Sequence, residues 1–398
     1  MAQLVSCHWA TISKAADVDD AAVQQVLGAL QASGLRLGQE EAAALGAIKV
    51  SVDEVRMALK HSAPGKAPGL DGLPVDLYRK CADVCAPLLA LLYTAIGVLG
   101  DVPVGFLDGV VIVIYKSGPK VQASNYRPIT LLNTDYRVLA KVLAYRLRRV
   151  QQSLIQPEQT AFLPGRHIGE NIMLIQLLPS ALGPHSRAAT VFLDFYKAYD
   201  TVSRPFMFSV LETVGLGDGF LTWVKLLLRS TQACALVNGW RSGFQPYTAG
   251  VRQGCPLAPQ LYLFIAQALL SFLKQRGFGV RLSSGRLITA GQFADDAQVF
   301  LDSIHQVSAF LSAMGVFKAA SGQGLNMDKT LVLPIGRAAR VWLWEQYFLW
   351  PMLHSPRISK PCGSVLHNMH LIRCNSRHCL CPLRRRYMAC MWWIRPSH

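Results

Sequence analysis

The chain has 398 residues, a formal net charge of +16 and 51% hydrophobic residues. That length can bury a large core and hold two or three subdomains, and the charge suits a polyanionic partner. Ten cysteines without regular spacing before residue 362 argue against a disulfide scaffold and for a reducing, intracellular setting, nuclear or cytoplasmic.

In chain order, Met1 to Lys14 lacks the apolar core of a secretory signal. Residues 15–60 are expected to be helical, with Ser51 and Glu54 forming a capping box before the apolar positions Val52, Val55, Met57 and Leu59. The Gly/Pro-rich run 63–74 breaks the helix. Val84 to Gly100 carries no charge but is short for a membrane span, so a buried helix is expected there and no membrane partner. Gly109–Tyr115 reads as a strand, Lys116–Lys120 as a turn, and Tyr136–Gln152 as a basic helix. Ala181–Ser186 is a linker into the strand run Ala189–Leu193. Leu257–Phe272 is a further helix.

Chemistry concentrates in two segments. Gln292-Phe293-Ala294-Asp295-Asp296-Ala297-Gln298-Val299 places two adjacent carboxylates where an apolar hairpin should turn. They repel one another and resist desolvation, and a hard divalent cation removes both penalties. A plain Asp-containing turn is the alternative. The run Ala189–Leu193 ends in a third carboxylate, Asp194. A strand-end Asp and a hairpin Asp pair can surround a two-metal centre that activates a hydroxyl and stabilises leaving pyrophosphate. Asp200, six residues on, is expected to cap the helix starting near Ser203.

Leu193-Asp194-Phe195-Tyr196-Lys197-Ala198-Tyr199-Asp200 followed by Phe293-Ala294-Asp295-Asp296 resembles the reverse transcriptases of non-LTR (LINE-type) retrotransposons. Further elements follow in that family's order. They are Ala63–Gly72, Asn125–Asn133, Gln159–Arg166, Gly250–Pro259, and Ser321-Gly322 with Leu325–Thr330. The resemblance covers about residues 50–335. It implies an α+β right-hand polymerase. The segments would be an N-terminal helical extension (1–50), fingers (51–187), a palm with an antiparallel sheet (188–336) and an atypical tail (337–398).

By the same resemblance the function is RNA-directed DNA polymerisation, with RNA template, DNA primer and dNTP as partners. Two Mg²⁺ ions, with Mn²⁺ as a substitute, would sit on Asp194, Asp295, Asp296 and the backbone carbonyl of Phe195. Lys116 and Arg127 would clamp the triphosphate, with Arg127 favoured for its bidentate geometry. Tyr199 would lie under the sugar and exclude a 2′-hydroxyl. Gln253 would contact nucleotide or template, and Lys329 would protonate pyrophosphate or neutralise its charge. Arg146, Arg148, Arg149 and Arg166 would meet the template backbone. An intron maturase-type enzyme shares this chemistry but fits the wording of Asn125–Asn133 and Gly250–Pro259 less well.

Residues 337–398 depart from the pattern. They hold nine Arg, one Lys and a single acid, with five of the eight tryptophans and five of the ten cysteines. No helical or strand period supports a thumb, which is expected to be absent or degenerate, and the Cys/His spacings do not fit zinc ligation. A catalytically silent retroelement remnant that at most binds nucleic acid is therefore the alternative reading, and feeble primer extension is expected.

Overall fold

The computed structural model describes residues 1–182 and 186–335. The expectations for the tail 337–398 lie outside the described residues.

The N-terminal segment folds as four helices: α1 (Ala2–Ile12), α2 (Asp20–Ala32), α3 (Gln39–Leu45) and α4 (Val52–Lys60). The single helical region expected over 15–60 is thus divided. Gly34 adopts φ +71°, and Gly46 lies so close to the start of a later helix that a Cβ would fall 2.7 Å from the Phe220 amide nitrogen. The capping box Ser51/Glu54 forms as expected. After the Gly/Pro-rich loop come α5 (Val75–Lys80) and α6 (Ala82–Leu99). Within that loop Gly69 packs against Asn133, where a Cβ would meet the Asn133 Oδ1 at 2.2 Å.

The expectation of a buried helix at 84–100 needs correction. α6 buries Ala86, Leu89, Ala90, Tyr93 and Ile96 but leaves Val84, Leu88, Leu91 and Val98 exposed. By length and composition alone α6 is apolar enough to cross a membrane, which a core helix can also be.

β1 (Asp108–Tyr115) and β2 (Tyr126–Leu132) form an antiparallel hairpin in which Ile114 faces Arg127. The basic helix α7 (Thr134–Leu154) and then α8 (Ile168–Leu182) lead to β3 (Ala189–Leu193). A short α9 (Ala198–Thr201), α10 (Arg204–Thr213) and α11 (Gly217–Leu228) precede β4 (Gln232–Val237), β5 (Trp240–Arg241) and β6 (Gln245–Pro246). β4 runs parallel to β1, giving a sheet in the order β2-β1-β4-β5, with β6 also paired to β4.

α12 (Ala258–Gln275) is buried along almost its whole length. It precedes the small hairpin β7 (Val280–Arg281) and β8 (Leu287–Ile288). β9 (Ala290–Phe293), β10 (Asp296–Leu301), α13 (Val307–Ser321) and β11 (Leu331–Pro334) complete the fold. The second sheet, β11-β3-β10-β9, is antiparallel throughout. β3 is buried at every position, as its unbroken apolar run requires of a central strand covered on both faces. A core cluster including Phe206, Trp223, Phe264 and Phe317 joins this sheet to the helices.

Candidate active site

β3 and β10 bring the separated acidic segments together. In their antiparallel register Ala297 faces Leu193, so Asp194 and Asp296 occupy the next positions at the same end of the two strands. Asp295 lies in the two-residue turn between β9 and β10. Its carboxyl is pushed up to about 6, first by burial, then by the neighbouring charges of Asp296 and Asp194, with Arg127 opposing. Three carboxylates therefore influence one small volume, and like charges in low dielectric resist joint ionisation.

The turn is held from outside. Ala294 adopts φ +57°, a region costly for a residue with a Cβ. Gln159, fully buried, brackets it with its side-chain amide. The Gln159 Oε1 accepts from the Ala294 N–H at 2.9 Å, and its Nε2 donates to the Ala294 carbonyl at 3.3 Å. Sequence reasoning assigned Gln159 no role. A glutamine opening a matched motif, with no local turn to explain it, was the available signal.

Asp194 is tied into the same end of the sheet. Its carbonyl accepts from the Asn326 N–H at 2.7 Å, and the Lys329 Nζ stands 3.8 Å from its Oδ2. Phe195 is buried and bridges to Leu325. Among the described residues no three His, Cys, Asp or Glu side chains form a ready-made metal cage. The donor set still fits a divalent ion by its chemistry, because only oxygen donors crowd here and Asp295 bears an electrostatic penalty that a cation relieves.

Asp194 and Asp295 open onto a cavity of about 640 Å³, whereas Asp296 is exposed and outside its lining. Asp194, Asp295, Lys116, Arg127, Tyr199, Gln253 and Lys329 all line it. Lys116 and Arg127 reach it from the β1–β2 hairpin. Tyr199 stacks on Tyr262 with ring centroids 4.5 Å apart, and Gln323 donates to the Tyr262 hydroxyl. Gly254, at φ +122°, brings its backbone so close to β2 that a Cβ would fall 2.2 Å from the Thr130 carbonyl oxygen. That approach presses the Gly250–Gly254 loop onto the hairpin.

Two expected placements are corrected, those of Arg146 and Asp200, and the partly exposed Arg166 takes on a structural part as well. Arg146 is buried, with its Nε 2.6 Å from Glu54 Oε1 and further bonds to the carbonyls of Ala47 and Lys49, so it holds α7 to α4 and cannot meet a template. Arg148 and Arg149 are the exposed members of that group. Arg166 donates to the carbonyls of Ile155, Gln156 and Gln159, and this use of its guanidinium fixes the loop that carries Gln159. Asp200 does not cap α10. Ser203 does so through the Phe206 N–H, whereas the buried Asp200 accepts from Gln253.

A family model described as "Reverse transcriptase (RNA-dependent DNA polymerase)" matches residues 114–341. The chain belongs to the reverse transcriptase family. The "Transposon TX1 uncharacterized 149 kDa protein" of Xenopus laevis is 29% identical over 283 residues, covering 71% of this chain and 22% of the relative. The "Retrovirus-related Pol polyprotein from type-2 retrotransposable element R2DM" of Drosophila melanogaster is 25% identical over 286 residues, covering 72% of this chain and 26% of the relative. The "RNA-directed DNA polymerase from mobile element jockey" of the same fly is 26% identical, covering 54% and 24% respectively. The chain thus spans about a quarter of the length of these relatives.

Proposed function

We propose that this chain is the catalytic core of a non-LTR retrotransposon RNA-directed DNA polymerase, which joins a dNTP to a primer 3′-hydroxyl opposite an RNA template. In this reading residues 51–187 serve as fingers and 188–336 as palm. The observation that carries it is the convergence of Asp194 and Asp295 on one cavity with Arg127, Tyr199 and Gln253.

Asp194, Asp295 and Asp296, with the Phe195 carbonyl, would hold two Mg²⁺ ions, for which Mn²⁺ would substitute. Bound there, the ions would lower the pKa of the attacking hydroxyl and neutralise charge on the leaving group. Arg127 and Lys116 draw the triphosphate toward the carboxylate end of β3. Lys329, whose Nζ stands 3.8 Å from the Asp194 Oδ2 at the cavity lining, would meet the departing pyrophosphate. Tyr199 supports the sugar, its ring held flat by Tyr262.

Primer extension on a poly(rA)/oligo(dT) template tests the reading. Mg²⁺-dependent incorporation of dTTP that disappears in Asp194→Asn and Asp295→Asn is the expected result. Activity surviving in both variants would refute the assignment, and an inert wild-type chain would favour the silent remnant.

Tyr199 and the exposed arginines of α7 make two separate predictions. Tyr199→Val should raise ribonucleotide use relative to deoxynucleotide by roughly tenfold or more, because it removes a clash and no attraction. An unchanged ratio would return Tyr199 to a packing role under the cavity. For template affinity, Arg148→Gln with Arg149→Gln should reduce the slope of log affinity against log salt by about one to two units, since each lost phosphate contact removes somewhat under one. Identical slopes for the double variant and wild type would show that this face of α7 meets solvent alone.

A further inference from the structure

The buried carboxyl of Asp200 is used by none of the steps above. It sits in the one-turn helix α9, and its Oδ2 accepts from the Gln253 Nε2 at 2.8 Å. We infer that Asp200 is a positioning residue for the nucleotide subsite: it fixes the side-chain amide of Gln253 so that the amide oxygen meets the sugar hydroxyl of the incoming dNTP. The inference rests on reading the cavity as a dNTP site.

The backbone around this pair is immobilised on both sides. The Gly250 N–H donates to the Val202 carbonyl and the Val251 N–H to the Tyr199 carbonyl, each at 2.8 Å. A Cβ on Gly250 would lie 2.6 Å from the Asp200 carbonyl oxygen, so only glycine lets the loop rest on α9. At the far end the Gln253 carbonyl accepts from the Thr130 N–H, also at 2.8 Å. Arg204, itself buried, adds bonds to the carbonyls of Ala249 and Gly250. What remains free is rotation of the Gln253 side chain.

An amide presents a donor on one side and an acceptor on the other, and a half-turn exchanges them. The Gln253 Nε2 donates to the Asp200 Oδ2, which holds the donor side of the amide against the carboxyl and leaves its oxygen as the outward acceptor. An acceptor would repel a triphosphate but suits a hydroxyl donor. The cations for the phosphates, Lys116 and Arg127, line the same cavity. On a dNTP the sugar donor is the 3′-hydroxyl, beside the ring that Tyr199 would support.

Keeping a carboxyl at this depth is costly, and burial pushes it up to about 7 while Lys197 and Gln253 oppose the rise. Lys197 is itself held, with its Nζ 4.2 Å from the centre of the Trp9 ring of α1. The N-terminal helix is thereby coupled to the subsite through Lys197. A residue needed only for packing would not require an acceptor here.

The test compares dNTPs with 2′,3′-dideoxynucleotides, which lack the hydroxyl, on the full chain. Binding is measured by competition and, with template and primer, by KM and kcat. Wild type should bind dNTP more tightly than the dideoxy analogue. Asp200→Ala should raise the KM for dNTP about tenfold with kcat within about threefold, leave the dideoxy KM nearly unchanged, and so erase the preference. Gln253→Ala should do the same, and the double variant should be no worse than either single one. Asp200→Asn, whose amide pairs equally well with either side of Gln253 and so no longer selects its orientation, should lose part of the preference and fall between wild type and Asp200→Ala.

If Asp200→Ala fails to fold, as judged by melting, Asp200→Ser serves as the shorter variant with the same expectation as Ala. Variants that lose dNTP and dideoxy binding alike, with the ratio intact, would overturn the inference and leave the polymerase reading standing. A wild-type chain that binds dNTPs without any preference for the hydroxyl would also overturn it alone. A wild-type chain that binds neither nucleotide would overturn the reading of the cavity and the inference with it.

Discussion

Asp295→Asn is expected to lower nucleotide transfer by about a thousandfold, roughly 4 kcal/mol of transition-state stabilisation, while making the metal-free protein more stable at neutral pH. The loss follows from removing an ionic oxygen donor from the end of the β9–β10 hairpin. The gain follows from the native carboxyl standing at about 6, raised by burial and by Asp296 and Asp194. A folded-state value above the unfolded one means that the protonated acid favours the fold. This contribution is complete below about pH 4 and is lost as pH rises through about 6. Above that, ionised Asp295 costs the metal-free fold about 1–3 kcal/mol, and asparagine does not pay it. Melting at pH 8 should therefore rise in the variant, and the difference should vanish near pH 4. A variant that loses activity and melts lower at both pH values would mean that the carboxylate braces the hairpin.

Arg146→Ala should cost about 3–5 kcal/mol of stability, because breaking a buried pair strands its partner. The side chain is 7% exposed, and Glu54 opposite is 26% exposed. Burial alone would raise the Glu54 carboxyl, yet the hydrogen bonds and charge of Arg146, with help from Ser51, hold it below the usual carboxylate range. Removing the guanidinium reverses that balance, takes its donor from the Lys49 carbonyl and leaves the Ala47 carbonyl with the Trp223 indole N–H at 3.3 Å. The melting temperature should fall by several degrees or more, with the salt dependence of nucleic-acid binding unaltered in the protein that remains folded. A normal melt combined with a shallower salt slope would restore Arg146 to the template.

These two residues mark where local reading succeeds and where it stops. Asp194 and Asp295 were legible because each breaks an apolar strand pattern with a charge that no local rule rewards. The strand at Gly109–Tyr115 and the turn after it were legible from a β-branched run that ends at Gly118-Pro119. Arg146 looked equivalent to Arg148 and Arg149, since composition marks a helix as basic without saying which face is covered. Only packing of α4 onto α7 separated them. The apolar run at 84–100 differs from expectation for a related reason: hydrophobicity favours burial, but among the described residues α6 leaves Val84, Leu88, Leu91 and Val98 exposed.

The amino-acid sequence by itself determined the chemistry available to this protein: which strands end in carboxylates, which loops carry glycine, and where cations precede a turn. Those properties depend on side-chain type and on periods of two or four residues, which short segments contain. The tertiary structure alone decided the pairings across long separations, Gln159 with Ala294, Gln253 with Asp200 and Glu54 with Arg146. Each joins segments 53 to 135 residues apart. A polar side chain there is satisfied by whichever backbone or partner the folded core brings within hydrogen-bond distance, and no local pattern encodes that meeting.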